Sequence, residues 1–181
     1  SLIASGVTFS GYGSAMIINS GNMNIQNSVL QGADIYIYGT GTISNNTIDG
    51  AALKITTGSP SITGNTFINE NSPIQFFRDL PKPTITGNTF PASADIRLIY
   101  ESGYPQVSSS MTLPSYQGLP YQLWDDLVIT NNSTLTIQSG IVFNAGSDYI
   151  SISSGSSLIA SGVTFSGYGS AMIINSGNMN I

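Results

Sequence analysis

Residues 43–48 read Ile-Ser-Asn-Asn-Thr-Ile, residues 62–67 read Ile-Thr-Gly-Asn-Thr-Phe, and residues 85–90 read Ile-Thr-Gly-Asn-Thr-Phe again. Each hexapeptide opens and closes on a large apolar residue and carries Asn in fourth place. A looser copy runs from Ile25 to Leu30, and copies one residue longer run from Ile3 to Phe9, Ile137 to Phe143 and Ile159 to Phe165. The closing anchors Phe9, Leu30, Ile48, Phe67, Phe90, Phe143 and Phe165 are spaced by 21, 18, 19, 23, 53 and 22 residues. A period of about twenty residues is the length of one turn of a β-solenoid, where each turn buries its apolar face only by stacking on its neighbours. The 53-residue interval reads as two turns, one enlarged by a loop, so 156 residues hold about seven turns.

A second strand follows each anchor, marked by the alternating pairs Met16/Ile18, Ile35/Ile37, Leu53/Ile55, Ile74/Phe76, Ile96/Leu98 and Ile150/Ile152. Alternation of period two places such a pair on one face of a strand, and that face is expected to point inward. Ile17, Tyr36, Tyr38, Phe77 and Ile99 are then expected to face outward, an apolar strip suited to lateral contact with another solenoid. Gly and Asn between the strands accept the left-handed backbone of a sharp corner.

A longer repeat encloses these turns. Ser1–Ile25 returns without one change as Ser157–Ile181, an offset of 156 residues. The expected organisation is one complete repeat over 1–156 and the start of an identical one over 157–181. Within the repeat, residues 100–126 break the pattern with Pro105, Pro114, Pro120, four tyrosines and Trp124, the only tryptophan. This stretch reads as the junction between repeats.

The Ile-x-Gly-Asn-x-Phe hexapeptides resemble the turns of right-handed parallel β-helices of the pectin-lyase-like superfamily. LVITNNSTLTIQSGIVF at 127–143, followed by SLIASGVTF at 157–165, is similar to the opening turns of β-helix domains in large secreted prokaryotic surface proteins. The resemblance implies an all-β, right-handed parallel β-helix at the cell surface. It implies fold and not activity, because this architecture hosts lyases, adhesins, tailspikes and inert stalks alike.

Composition narrows the chemistry. Charged residues make up 7 % of the 181 residues and hydrophobic ones 40 %, so the surface is polar through Ser, Thr, Asn and Gly while a core remains affordable. With four basic residues and a net charge of −5, no run of phosphates can be neutralised, and nucleic acid is excluded as a partner. No apolar run is long enough to span a membrane. The absence of Cys and His removes thiol nucleophiles, imidazole bases and the commonest transition-metal ligands, and no cofactor is expected. Among nine acidic residues only Asp125 and Asp126 are adjacent, and neighbours on a strand point to opposite faces, so no catalytic pair is assigned.

Three sets of residues remain. Asn46, Asn65 and Asn88 share one column and are expected to form a hydrogen-bonded ladder from turn to turn. Tyr104, Tyr116, Tyr121 and Trp124 in the junction are candidates for stacking on sugars. Asn45, Asn131 and Asn132 open N-glycosylation sequons, which matter only on an exported chain. The resulting expectation is a structural repeat of an extracellular fibre, stalk or sheath, joined to copies of itself end to end and in some assemblies side by side. A carbohydrate-binding adhesin is the alternative, and a polysaccharide lyase or hydrolase stands third.

Overall fold

The computed structural model describes residues 1–77, 80–99, 105–168 and 172–181. Among these every regular element is a β-strand, the strands pair in parallel, and the chain forms a β-solenoid of about eight turns. Two compact units divide it, one of residues 1–76 and 81–95, the other of residues 77–80 and 96–181.

The first unit has three faces. One carries β1 (Leu2–Ser5), β4 (Met23–Gln26), β7 (Gly41–Ser44), β10 (Ser61–Thr63) and β13 (Thr84–Thr86). The next carries β2 (Thr8–Ser10), β5 (Val29–Gln31), β8 (Thr47–Asp49) and β11 (Thr66–Ile68), which Thr89 extends through a bridge to Thr66. The third carries β3 (Ile17–Asn19), β6 (Ile35–Ile37), β9 (Leu53–Ile55) and β12 (Ile74–Phe77). Each hexapeptide therefore spans a corner. Ile43 lies on β7 and Ile48 on β8, with Asn45 and Asn46 turning the chain between them. A strand on the first face precedes each motif's corner, so a turn contains three strands where sequence alone marked two.

Register explains the core. Ile25, Ile43, Ile62 and Ile85 stack in one inward column, and Leu30, Ile48 and Phe67 in another, all buried. Phe67 and Phe90 stack with centroids 4.9 Å apart. On the third face Ile35, Leu53 and Ile74 align, as do Ile37, Ile55 and Phe76. The pair Met16/Ile18 breaks the expected parity: Ile17 aligns with the buried Ile35, while Ile18 aligns with Tyr36 and is 67 % exposed. The expected pair is one residue out of phase with the observed register of β3, and a one-residue slip exchanges the two faces of a strand.

The second unit repeats this plan. Its faces carry β14 (Ile96–Ile99), β17 (Tyr121–Leu123), β20 (Val142–Asn144) and β23 (Thr164–Ser166); β15 (Gln106–Val107), β18 (Leu127–Ile129), β21 (Ile150–Ile152) and β24 (Ile173–Asn175); and β16 (Met111–Leu113), β19 (Thr134–Ile137), β22 (Ser157–Ala160) and β25 (Asn178–Asn180). Tyr121, Phe143 and Phe165 form an aromatic column inside it.

Candidate functional site

The corner between the first two faces of the first unit is built the same way on four successive turns, from Asn27 to Asn88. Asn27, Asn45, Gly64 and Gly87 adopt positive φ between 52° and 66°, bending the chain from the first face to the second. The following residue is buried at each turn: Ser28, Asn46, Asn65 and Asn88. The backbone N–H of Ser28 donates to Asn46 Oδ1 at 2.9 Å, that of Asn46 to Asn65 Oδ1 at 3.0 Å, and that of Asn65 to Asn88 Oδ1 at 2.9 Å. Each Nδ2 in turn donates to a backbone carbonyl, of Ile25, Ile43 and Ile62 respectively. Here the side-chain amides satisfy the backbone groups that a corner removes from the sheet ladders. Ser28 is a rung that the sequence conceals. Its Oγ accepts from the N–H of Val7 at 3.2 Å, so a hydroxyl does at the first turns what an amide does later.

The strip expected to make lateral contacts is not presented as one exposed patch. Ile17 points into the inward column, and Phe77 is buried. Tyr36, Tyr38 and Ile99 are half-buried. Tyr36 and Tyr38 stack with centroids 6.5 Å apart, and Lys54 Nζ lies 4.9 Å above the Tyr36 ring, 3.2 Å from its Oη and 2.7 Å from Asp34 Oδ2. Burial alone lowers the Lys54 pKa, but its hydrogen bonds to Asp34 and Tyr36 and their charges outweigh that penalty and hold the ammonium above its ordinary value. The aromatic wall of this face is thus tied down by a lysine, which reduces the apolar surface left for a neighbour.

The sugar-stacking set also divides. Tyr121 is a core residue at 0 % exposure, its Oη donating to the Pro114 carbonyl at 2.7 Å. Tyr116 is buried too, and burial pushes its pKa up to about 12. Neither can offer a ring face to a ligand: Tyr121 faces inward on β17, and Tyr116 is buried in the bend that precedes it. Tyr104 lies outside the described residues. Trp124 is 57 % exposed, with the Arg97 guanidinium 4.0 Å from its ring centroid. Trp124 lines an open groove together with Gln122, Gly146, Asp148 and Tyr168, and Tyr168 is fully displayed to solvent. Burial, then the charges of Asp126 and Asp125, raise the Asp148 carboxyl above its ordinary value. In the first unit the identical Tyr12 flanks a second groove with Gln31 and Asp49. The sequence signal for these grooves was the Gly-Tyr-Gly of each copy, masked by its position in an ordinary corner.

Asn45, Asn131 and Asn132 are exposed corner residues with φ of 55°, 57° and 55°. Among the described residues no three His, Cys, Asp or Glu side chains are grouped to hold a metal ion. Comparison with protein-family models, with curated proteins and with solved structures finds no match to this chain.

Proposed function

We propose that the chain is a structural repeat of an extracellular fibre, stalk or sheath, in which successive repeats continue one β-solenoid and give a long stiff rod. The pectin-lyase-like resemblance and the sparse charge favour a secreted surface protein over an intracellular one. One observation carries the rod. The identical segments use the same register, Leu2 against Met23 and Leu158 against Met179, yet they are buried on opposite sides. Met23 is 1 % exposed and Met179 is 47 %; Ile25 is 0 % and Ile181 is 58 %. Conversely Leu158 and Ala160 are buried whereas Leu2 and Ala4 are only half-buried. The segment is thus written for neighbours on both sides, since each of these apolar residues finds its cover in one copy or the other. Burying them supplies the free energy of continuation, and open strand edges supply its direction.

Tandem proteins of one, two and four repeats, viewed by negative-stain electron microscopy, test this reading. Rods that lengthen by about 34 Å per repeat, as seven turns at the ~4.8 Å spacing of strands require, are the expected result. Beads on flexible joints would reject it.

The groove of Trp124 and Tyr168 favours a second reading, a glycan-binding adhesin. Exposed rings beside amide and carboxylate groups suit the apolar face and hydroxyls of a sugar. Binding on a glycan array that disappears in Trp124→Ala, with the rods unchanged, would establish it.

A further inference from the structure

One corner of the first unit carries a groove that folding alone does not account for. Ser10, Gln31 and Asp49 align across β2, β5 and β8, and each is followed by a glycine, Gly11, Gly32 and Gly50. The N–H groups of these glycines donate to the carbonyls of Gln31, Asp49 and Ile68 respectively. The glycines therefore stack over three successive turns, ~10 Å from first to last, and leave a floor of bare backbone. Asn69 ends the run on the fourth turn, and Tyr12, fully exposed, lines the groove beside Gly11. The groove has a volume of about 260 Å³. Gly50 is the informative position. A Cβ there meets nothing within 4 Å, and its φ of 59° matches the 58° that Asn69 holds one turn on. The fold accepts a side chain at this position, and what the glycine provides is open groove.

We infer that this groove binds a neutral oligosaccharide, with Tyr12 as the stacking ring and Asp49 as the anchor for hydroxyls. The Asp49 carboxylate is fixed from both sides by neutral amides: Asn69 Nδ2 donates to Oδ1 at 2.7 Å and Gln31 Nε2 to Oδ2 at 3.3 Å. Each oxygen keeps a lone pair for a further donor, so two adjacent hydroxyls of a sugar ring suit the carboxylate. Ser10 and Gln31 line the same groove and add a hydroxyl and an amide. The Tyr12 ring, with neither face covered, suits the apolar C–H face of a pyranose. The glycine floor lets the sugar approach the backbone closely. Charge selects the class of sugar. No Lys or Arg lines the groove, and among the described residues Asp49 has no ion-pair partner, so a uronate, sulfate or phosphate group would face the carboxylate with nothing to neutralise it. This site lies wholly within the first unit, and it depends neither on the rod nor on the groove of Trp124.

The test uses the full chain carrying Trp124→Ala and Tyr168→Ser, which removes the rings of the other groove. Isothermal titration calorimetry with maltohexaose, cellohexaose, mannohexaose and chitohexaose, and with hexagalacturonate as the acidic probe, reads binding. At least one neutral oligosaccharide is expected to bind, and hexagalacturonate is not. Adding Tyr12→Ser should weaken that binding by at least about tenfold, the equivalent of one lost stacking contact. Gly50→Asn, which fills the groove with a residue that tolerates the same φ, should weaken it likewise, with thermal unfolding of both variants close to that of the parent. Absence of binding to all four neutral probes would overturn the inference, as would binding that survives Tyr12→Ser or a preference for hexagalacturonate. The adhesin reading is tested apart from this one, in the protein with Trp124 and Tyr168 intact and Tyr12→Ser in place.

Discussion

At the scale of single residues, the corner amides are where stability is concentrated. Asn65 accepts hydrogen bonds from the N–H and Nδ2 of Asn46 and donates to the Ile43 carbonyl. Asn65→Ala leaves these buried groups without partners, at about 1–3 kcal/mol for each unsatisfied group. We expect a loss of at least ~3 kcal/mol in urea unfolding. Asn45→Gly, one residue before a rung, should change stability by less than ~1 kcal/mol, because Asn45 is exposed and glycine accepts its φ of 55°. Equal losses in the two variants would show that the ladder is incidental. Alkali probes the buried tyrosines. Burial raises Tyr116 from 10.0 to about 12 and raises Tyr121 well above 10.0, with the Tyr116 charge adding to the latter. A raised folded pKa means stability that is complete below pH 10 and is lost as pH climbs through the folded value. A drop of roughly 2–3 kcal/mol attributable to Tyr116 is expected between about pH 10 and 12, and Tyr116→Phe should flatten that part of the curve.

At the scale of elements, the solenoid tolerates variation at some corners and forbids it where backbones touch. Gly41 opens β7 opposite Met23 with φ of 135°, and a Cβ there would overlap the Met23 backbone. Gly41→Ala should therefore lower the melting temperature by several degrees, corresponding to more than ~1 kcal/mol from strain and overlap together. The corner after β20 carries the opposite kind of tension. Asp148 is held above its ordinary carboxylate value by burial and by Asp126 and Asp125, so its contribution to stability is present in acid and is lost as pH rises through its folded pKa. Asp148→Asn is expected to stabilise the protein at neutral pH and to be indistinguishable from the parent in acid below the carboxylate range. A stabilisation that persists unchanged in acid would point to a different origin.

At the scale of the whole molecule, stability should depend on repeat number in the manner of a one-dimensional array, each repeat adding an intrinsic term and each junction an interface term. Met179 and Ile181, exposed here, are copies of the buried Met23 and Ile25, and the proposed rod buries them under the turn that follows. Thermal unfolding of proteins with one to four repeats is therefore expected to shift upward with length and then level off. A melting temperature independent of repeat number would mean that the junctions contribute nothing, and the rod would lose its energetic basis.

The repeat of 156 residues, the solenoid, and the column of Asn46, Asn65 and Asn88 were legible in the chain, because each is a periodicity and periodicity survives in one dimension. Residues 100–126 defeated that reading. Nothing in its composition distinguishes Tyr121 in the core from Trp124 at the surface, since three residues of strand and corner reverse a side chain's direction. The same ambiguity sent Ile17 outward on paper and inward in the fold. The third strand of each turn and Ser28 as a rung depend on which backbone meets which across the solenoid. Pairing between turns is set by cross-strand hydrogen bonds over separations of some twenty residues, and only the tertiary structure expresses it.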